Sequence, residues 1–369
     1  MNRLFGWKQT GLFLLALAAG ILPFAVPEVC AAALREGLTL CSGPLLLSLF
    51  PFLVVSRLLI QCPESDLLAL PFRLAAWGIG IRTPCAARVL CIGFLGGFAP
   101  AASAAAQAVR TGQLTVEEAD ALLPACICSG PSFVVLTVGQ SLLGSAELGV
   151  LLFASQITAN YLTAALLNRF AGVRSVKPGS AAPASPAPPR LDEILADAAI
   201  TYCKLCGFIL FFRMLAAGAG ALLPAGAGTL CSVLLEVCSG CDLASRTGRW
   251  GSLLCCAALS VQGLSVLLQV RTICPPEMTL RPLYRSRLLH LPLSLALFYL
   301  LLPGGEADVF STLPARVLLM RRVPPDCALL VFAVCCMAAC TLRSGIRQVE
   351  QKQMARNAGG CCINSKTLL

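Results

Sequence analysis

Residues 114–131 read "LTVEEADALLPACICSGP", an apolar segment that opens with a strong helix start and closes with a helix breaker. Thr115 followed three residues later by Glu118 forms a capping box, which predicts the first turn of a helix. A helix rises about 1.5 Å per residue, so Ser129 lies about 20 Å along the axis from Thr115. The break at Ser129 therefore falls well inside a hydrocarbon layer of about 30 Å.

The break consists of Ser129, Gly130 and Pro131. Pro131 has no backbone N–H, and together with Gly130 it leaves carbonyl groups that lipid cannot satisfy. Such backbone is tolerated at membrane depth only where it is buried in protein or lines a wet cavity. We interpret these residues as part of a site for a solute or an ion. The alternative is a proline kink whose free carbonyls are satisfied by a neighbouring helix.

The composition is typical of a membrane protein. The chain has 369 residues, of which 57% are hydrophobic and 12% charged, and its mean hydropathy is +0.81. The charged fraction is about half that of an average soluble domain. The net charge of +10 comes from basic residues between apolar runs, as expected of cytoplasmic loops. These features predict an all-α polytopic protein in a lipid bilayer, and no pattern for binding nucleic acid accompanies them.

The chain divides into two apolar halves. We expect a first membrane half over residues 1–168, a Pro/Ala-rich cytoplasmic linker over 169–190, a second membrane half over 191–342 and a basic cytoplasmic tail over 343–369. Runs long enough to cross a bilayer lie near 10–30, 38–60, 86–109, 145–168, 202–224, 250–270, 285–303 and 324–342. With shorter runs they predict about 8–10 membrane segments, some discontinuous or re-entrant. Two halves with interrupted helices are typical of repeat-built transporters.

Two further features concern the ends of apolar runs. The first run has the basic and apolar parts of a signal peptide, but further spans follow, so we expect a signal anchor. "CSGP" also occurs at residues 41–44. Pro44 is expected in the first turn of a helix, where proline costs little, so we interpret that copy as structural.

A second interruption is predicted in "GFLGGFAPAASAAAQA", residues 93–108. Gly96 and Gly97 are followed by Phe98 and, three residues after Gly97, by Pro100. This order favours unwinding or a hairpin tip. Small residues alone would instead favour close helix packing. Both interpretations stay open, and these four residues are candidates for a substrate site.

Glu236 is an acidic residue inside the apolar run "LLEVCSG", residues 234–240. An ionisable group at membrane depth is costly and is a functional candidate by default. We therefore expect Glu236 to bind a coupling ion or carry a proton, with Ser239 and Gly240 beside the substrate. The alternative is a packing residue that is hydrogen-bonded to Ser239 or to a backbone group.

Amides and hydroxyls cluster in "LSVQGLSVLLQV", residues 259–270. Ser265 and Gln269 are four residues apart, and Gln262 and Gln269 seven apart, so helical spacing places them on one stripe. With Gly263 between them, these side chains suit a polar solute. Asn160, in "QITANYL", is a further interior polar candidate.

The sequence gives no pattern for enzymatic chemistry. It has 21 cysteines but one histidine, His290, and its two CxxC pairs lie in apolar runs, which argues against zinc. No G-x-S-x-G, P-loop or H-E-x-x-H motif occurs. We therefore expect no enzyme, no metal and no cofactor, and most of the cysteines to be small buried residues at helix contacts.

Four blocks resemble the sporulation integral membrane protein family, which belongs to the nucleoside-recognition (Gate) superfamily and is related to concentrative nucleoside transporters. The blocks are "GFLGGFAPAA" with "GQLTVEEADALL", "CICSGPSFVVLTVGQSLLGSAELGVLL", "LLEVCSG" and "VQGLSVLLQVRTI". The resemblance implies a transporter of dipicolinic acid in the mother-cell-derived outer forespore membrane. The positions that match are Gly97, Ser129, Gly130, Pro131, Glu236, Gly240, Gly263, Ser265 and Gln269.

The chain also departs from this family. The family's Tyr and Lys are absent from residues 96–103, its Asn before Ser-Gly-Pro is Cys128, and a typical His is Leu267. These changes weaken the expectation of a dianion. A nucleoside or nucleobase carrier, and a non-transporting membrane scaffold for spore-envelope assembly, are the two alternatives. The scaffold alternative predicts that the tail after Arg343 is needed and that Glu236 is not.

Overall fold

The computed structural model describes residues 2–62, 65–172 and 191–302, and every regular element in these ranges is helical. The first group of helices is α1 (Asn2–Ala25), α2 (Pro27–Ser42), α3 (Pro44–Gln61), α4 (Ser65–Leu68), α5 (Leu70–Gly78), α6 (Pro84–Gly96), α7 (Phe98–Arg110), α8 (Val116–Cys126), a π-helix (Ser132–Leu142) and α9 (Ala146–Ala171). The second group is α10 (Leu191–Leu222), α11 (Ala225–Leu235), α12 (Val237–Ser245), a short 3-10 turn (Gly248–Trp250), α13 (Gly251–Val261), α14 (Gly263–Ile273) and α15 (Arg281–Leu301).

The chain is an integral membrane protein by the length and apolar character of its helices. Three helical stretches could cross a bilayer: Ala146–Ala171, Leu191–Leu222 and Gly248–Ile273, the last of which contains α13 and α14. Phe13–Ala25 and Pro27–Ser42 form a further apolar pair, bent by 108° between them. The all-helical class predicted from composition is confirmed.

Several helix ends lie where the sequence places them. The capping box forms, because the Thr115 hydroxyl accepts from the backbone N–H of Glu118 at 3.1 Å and the Glu118 carboxylate accepts from that of Thr115 at 3.2 Å. Pro44 begins α3, which confirms its predicted place in the first turn of a helix. α8 then ends at Cys126, three residues before the predicted break at Ser129.

Four of the apolar runs in the sequence each contain a helix end. The runs 10–30, 38–60, 86–109 and 250–270 are divided near Val26, Gly43, Gly97 and Gln262. Gly97 and Gln262 have φ angles of 81° and 62°, which a right-handed helix does not allow. At the other two points a proline follows and cannot donate to the preceding turn.

The interrupted segments are of two kinds. α6 packs against α7, and α11 packs against α12, so each pair is a helical hairpin. α8 is followed after a break by the π-helix, and α13 is followed after a break at Gln262 by α14; we call each of these two pairs a broken span. α10 packs against α2, α3, α11 and α14. The predicted linker from residue 173 onward, the run 324–342 and the basic tail lie outside the described residues.

Candidate functional site

The first hairpin and the first broken span meet at their breaks. A Cβ on Gly97 would lie 2.6 Å from the backbone nitrogen of Gly130 and 3.2 Å from the carbonyl oxygen of Cys128. Backbone therefore contacts backbone, with no room for a side chain at Gly97. The structure thus combines the two sequence interpretations of the glycine pair, because the segment is a hairpin whose tip also packs closely.

The second hairpin and the second broken span meet in the same way. Gly263 has a φ of 70°, and a Cβ there would lie 3.0 Å from the backbone nitrogen of Glu236 and from the carbonyl group of Leu235. Gly240 packs against Val233 across the hairpin, where a Cβ would lie 2.8 Å from the Val233 Cα. The candidate residues of each half are therefore brought together pairwise.

The Glu236 carboxylate is the N-cap of α12. It accepts hydrogen bonds from the backbone N–H of Cys238 at 2.9 Å, from the N–H of Ser239 at 2.7 Å and from the Ser239 hydroxyl at 2.8 Å. Glu236 is 2% exposed. These bonds match the alternative in which Glu236 is held by Ser239 and backbone groups, and its role toward an ion stays a prediction.

The side chain of Gln262 connects the breaks of the second half to those of the first half by a hydrogen bond. Gln262 Nε2 donates to the carbonyl oxygen of Ile127 at 3.0 Å, and Asn160 Nδ2 lies 3.4 Å from the same oxygen. Ile127 is the first residue after α8, so this carbonyl is one of those freed by the break. A neighbouring helix therefore satisfies part of the broken backbone, as the kink alternative requires. Gly130 and Pro131 are only half-buried.

Arg287 is a component of the site that sequence reasoning missed. It is 8% exposed, and its guanidinium donates to the Asn160 side-chain oxygen at 3.2 Å and to the Ser260 carbonyl at 3.5 Å. Within the described ranges no carboxylate forms an ion pair with it. A signal was present, because Arg287 lies in a run read as apolar, and an ionisable group there is a functional candidate.

A buried polar network surrounds Arg287. Gln156 Nε2 donates to the Ser260 hydroxyl at 2.9 Å, and the Ser260 hydroxyl contacts that of Ser294. His290 Nε2 lies 3.2 Å from the Gln156 carbonyl oxygen. These side chains connect α9, α13 and α15. In the sequence His290 bears only on the argument against zinc, so this network was also missed.

The stripe on α14 forms in part. Gln269 Nε2 donates to the Ser265 hydroxyl at 2.9 Å, as the spacing of four residues predicts. Gln262 does not continue that stripe, because the helix is interrupted at Gln262 itself. The side-chain oxygens of Gln262 and Gln269 are buried, and no hydrogen-bond donor within the described residues reaches them.

Asp120 holds the start of α15 and was not recognised from the sequence. Its carboxylate accepts from the backbone N–H and the hydroxyl of Thr279, at 2.9 and 2.7 Å, and from the N–H of Leu280 at 3.2 Å. A carboxylate at a helix N-terminus is favourable. Asp120 therefore fixes α15, and with it Arg287, against α8.

Two cavities flank these contacts along α10. One, of about 280 Å³, is lined by Glu36, Arg213, Ser239 and Asp242 among others, and the other, of about 140 Å³, lies beside α3, α7 and α14. Their α10 residues are centred about 25 Å apart at 1.5 Å per residue. Ser129, Glu236 and Gln269 are 8%, 2% and 1% exposed and line neither cavity.

The remaining candidates occupy supporting positions. Phe98 packs between two apolar clusters, and Pro100 is buried in the first turn of α7. Ten of the fifteen described cysteines are buried, in agreement with the expectation for small core residues.

Comparison with known proteins gives no assignment. No protein-family model, no curated protein and no solved structure matches this chain. The resemblance to the sporulation family therefore depends on the four sequence blocks alone.

Proposed function

We propose that the chain is a membrane transporter or facilitator of a small polar anion, built from two repeat-like halves with about 8–10 membrane segments. The order of elements supports the repeat. Each half presents a hairpin, then a broken span, then a long helix. In the first half these are α6/α7, α8 with the π-helix, and α9; in the second they are α11/α12, α13/α14, and α15.

The observation that carries the proposal is the meeting of the breaks. Gly97 contacts Gly130, Gly263 contacts Glu236, and Gln262 connects the second pair to Ile127 in the first. Interrupted backbone inside a membrane is expensive, and substrate sites of repeat-built transporters typically use it. A scaffold protein would gain nothing from two places at which interrupted backbone segments meet. Two cavities whose α10 residues are centred about 25 Å apart support access from both sides.

Arg287 favours an anion as the substrate. Burying a guanidinium without a carboxylate costs several kcal/mol, roughly, so such a group is retained where a bound anion can neutralise it. The family's Lys is missing at Ser103, and Arg287 offers a cation from a different helix. The sequence resemblance then indicates dipicolinate, a flat aromatic dianion, and the outer forespore membrane.

A nucleoside or nucleobase is the second candidate. The unpartnered oxygens of Gln262 and Gln269 could accept hydrogen bonds from the N–H groups of a base. Neither amide requires the ligand to carry a charge. This candidate leaves Arg287 without a function, so we place it second.

Uptake into vesicles separates the candidates. We expect reconstituted protein to take up dipicolinate, with uridine failing to compete, and spores of a deletion strain to contain less core dipicolinate than the parent. Vesicles without protein give the background. Competition by uridine would favour the second candidate. Unchanged core dipicolinate in the deletion strain would contradict the assignment of dipicolinate.

Glu236 is proposed to carry the coupling proton or ion, and replacing it by glutamine tests this. We expect Glu236→Gln to abolish stimulation of uptake by a proton or cation gradient, because the amide cannot change its charge. Ser239→Ala is the matched control. It removes one donor to the same carboxylate and should weaken the cap while gradient stimulation persists. Full stimulation in Glu236→Gln would restrict Glu236 to capping.

A further inference from the structure

The smaller of the two cavities along α10 has a strongly basic lining. It has a volume of about 140 Å³ and lies between α3, α7, α10 and α14. Three cations, Arg57, Arg110 and Lys204, line it together with one carboxylate, Asp197. Two positive charges therefore remain in excess. The hydroxyl groups of Ser103, Thr201 and Thr272 complete the polar part of the lining.

The one carboxylate that lines this cavity already forms an ion pair. Asp197 forms an ion pair with Arg57 at 2.5 Å, and the two side chains are 58% and 12% exposed. The buried Nε of Arg57 has no hydrogen-bond acceptor within the described residues. In those ranges neither Arg110 nor Lys204 forms an ion pair. The excess charge is therefore available to a ligand.

Two hydroxyl groups of the cavity lie on α7 and α14, the helices that begin at the breaks near Gly97 and Gly263. Ser103 is six residues after Gly97 and Thr272 is nine after Gly263, which are about 9 and 14 Å along α7 and α14. Ser265, Gln269 and Thr272 are spaced by four and three residues, so they share one face of α14. This polar row connects the break at Gly263 to the basic cavity. The buried, unpartnered oxygen of Gln269 lies in its middle.

We propose that this cavity is an anion-binding vestibule for a carboxylate or phosphate group, held by Arg57, Arg110 and Lys204. Guanidinium groups bind planar carboxylates and phosphates through two parallel hydrogen bonds, and a lysine adds a mobile point charge. A concave patch of one sign raises the local concentration of the opposite ion. The vestibule's place on a transport pathway depends on the proposed function, whereas anion binding does not.

The same chemistry could be supplied by a lipid headgroup. Basic side chains near a membrane surface attract anionic lipids, and that attraction falls with salt. The cavity lies beside the first half of α10, the half that follows the predicted cytoplasmic linker. The experiment therefore needs one arm with a free anion and one with anionic lipid.

Binding is measured on the full-length protein in nanodiscs of neutral phosphatidylcholine, with dipicolinate and inorganic phosphate as probes. The test variant is Arg110→Gln with Lys204→Gln, since both side chains are exposed and their loss leaves the Arg57–Asp197 pair intact. The matched control is Arg281→Gln with Arg285→Gln, which removes the same charge from exposed positions on α15. Thermal unfolding midpoints of both variants check folding.

We expect the test variant to bind at least one probe at least tenfold more weakly than the parent, while the control binds as the parent does. In uptake, KM should rise at least fivefold with kcat retained. In nanodiscs containing phosphatidylglycerol, weaker probe binding to the parent would identify headgroup phosphate as a competing occupant of the same site. Unchanged probe binding by the test variant in neutral lipid would overturn the vestibule.

The two proposals fail in different ways. If the protein transports nothing but the test variant still loses anion binding, the vestibule stands and the transport function falls. If uptake occurs and the test variant binds and transports like the parent, the transport function stands and the vestibule is wrong.

Discussion

Replacing Gly97 by alanine is expected to abolish uptake and to lower the unfolding midpoint of the protein. Gly97 has a φ of 81° and a ψ of −163°, a region that is essentially restricted to glycine, and a side chain there costs about 1–3 kcal/mol. The added Cβ would also lie 2.6 Å from the Gly130 nitrogen, where only backbone can move. Overpacking of this kind costs a further 1–3 kcal/mol, roughly, and here it would push the two breaks apart. Uptake into vesicles and thermal unfolding in detergent measure the two effects.

Gly80→Ala is the matched control for Gly97→Ala. Gly80 has a φ of 89°, close to the 81° of Gly97, but nothing lies within 4 Å of the position of its Cβ. The control therefore places a side chain at a similar positive φ without the contact. We expect it to unfold at a somewhat lower temperature and to transport normally. Equal losses of uptake in both variants would show that the contact between the breaks has no special role.

Replacing Arg287 by glutamine is expected to lower dipicolinate uptake at least tenfold while the unfolding midpoint stays the same or rises. The guanidinium is buried with no carboxylate beside it among the described residues, so its removal relieves a desolvation cost. A loss of function without a loss of stability is the behaviour expected of a substrate-binding charge.

Arg285→Gln controls for this change on the same helix. Arg285 is exposed and two residues from Arg287, so it alters the net charge without touching the network. Arg287→Lys should recover part of the uptake, because it keeps the charge but not the planar pair of donors. If Arg287→Gln transports dipicolinate like the parent, the anion assignment loses its main support. If it unfolds at a much lower temperature, Arg287 is structural.

The broken segments show which helix ends can be predicted from neighbouring residues in the sequence. The capping box at Thr115 and Glu118 predicts the start of α8, and the proline at position 131 predicts its interruption, because both effects act within one turn of helix. Gly97 is likewise visible as an interruption. The left-handed conformation of Gln262 is not, because it depends on the Ile127 carbonyl from another segment. The predicted stripe from Gln262 to Gln269 therefore contains a break, and Gln262 is not part of it.

The buried charged groups show a second limit of prediction from local sequence. Glu236 is conspicuous as one acid in an apolar run, but its three donors come from a helix start that the sequence does not announce. Arg287 and Asp120 were overlooked, because several basic and acidic residues lie near them in the chain. Their burial depends on α9, α13 and α8 packing around α15.

By itself the sequence determined that the chain lies in lipid, that it is helical, and that it is interrupted at Gly97 and at Ser129–Pro131. These follow from composition and from interactions between residues a few positions apart. Only the tertiary structure decided which breaks meet, that Gln262 closes the carbonyl of Ile127, and that Arg287 is buried without a carboxylate within the described ranges. Those contacts join residues far apart in the chain, and their energies depend on the packing of whole helices, which no local pattern records.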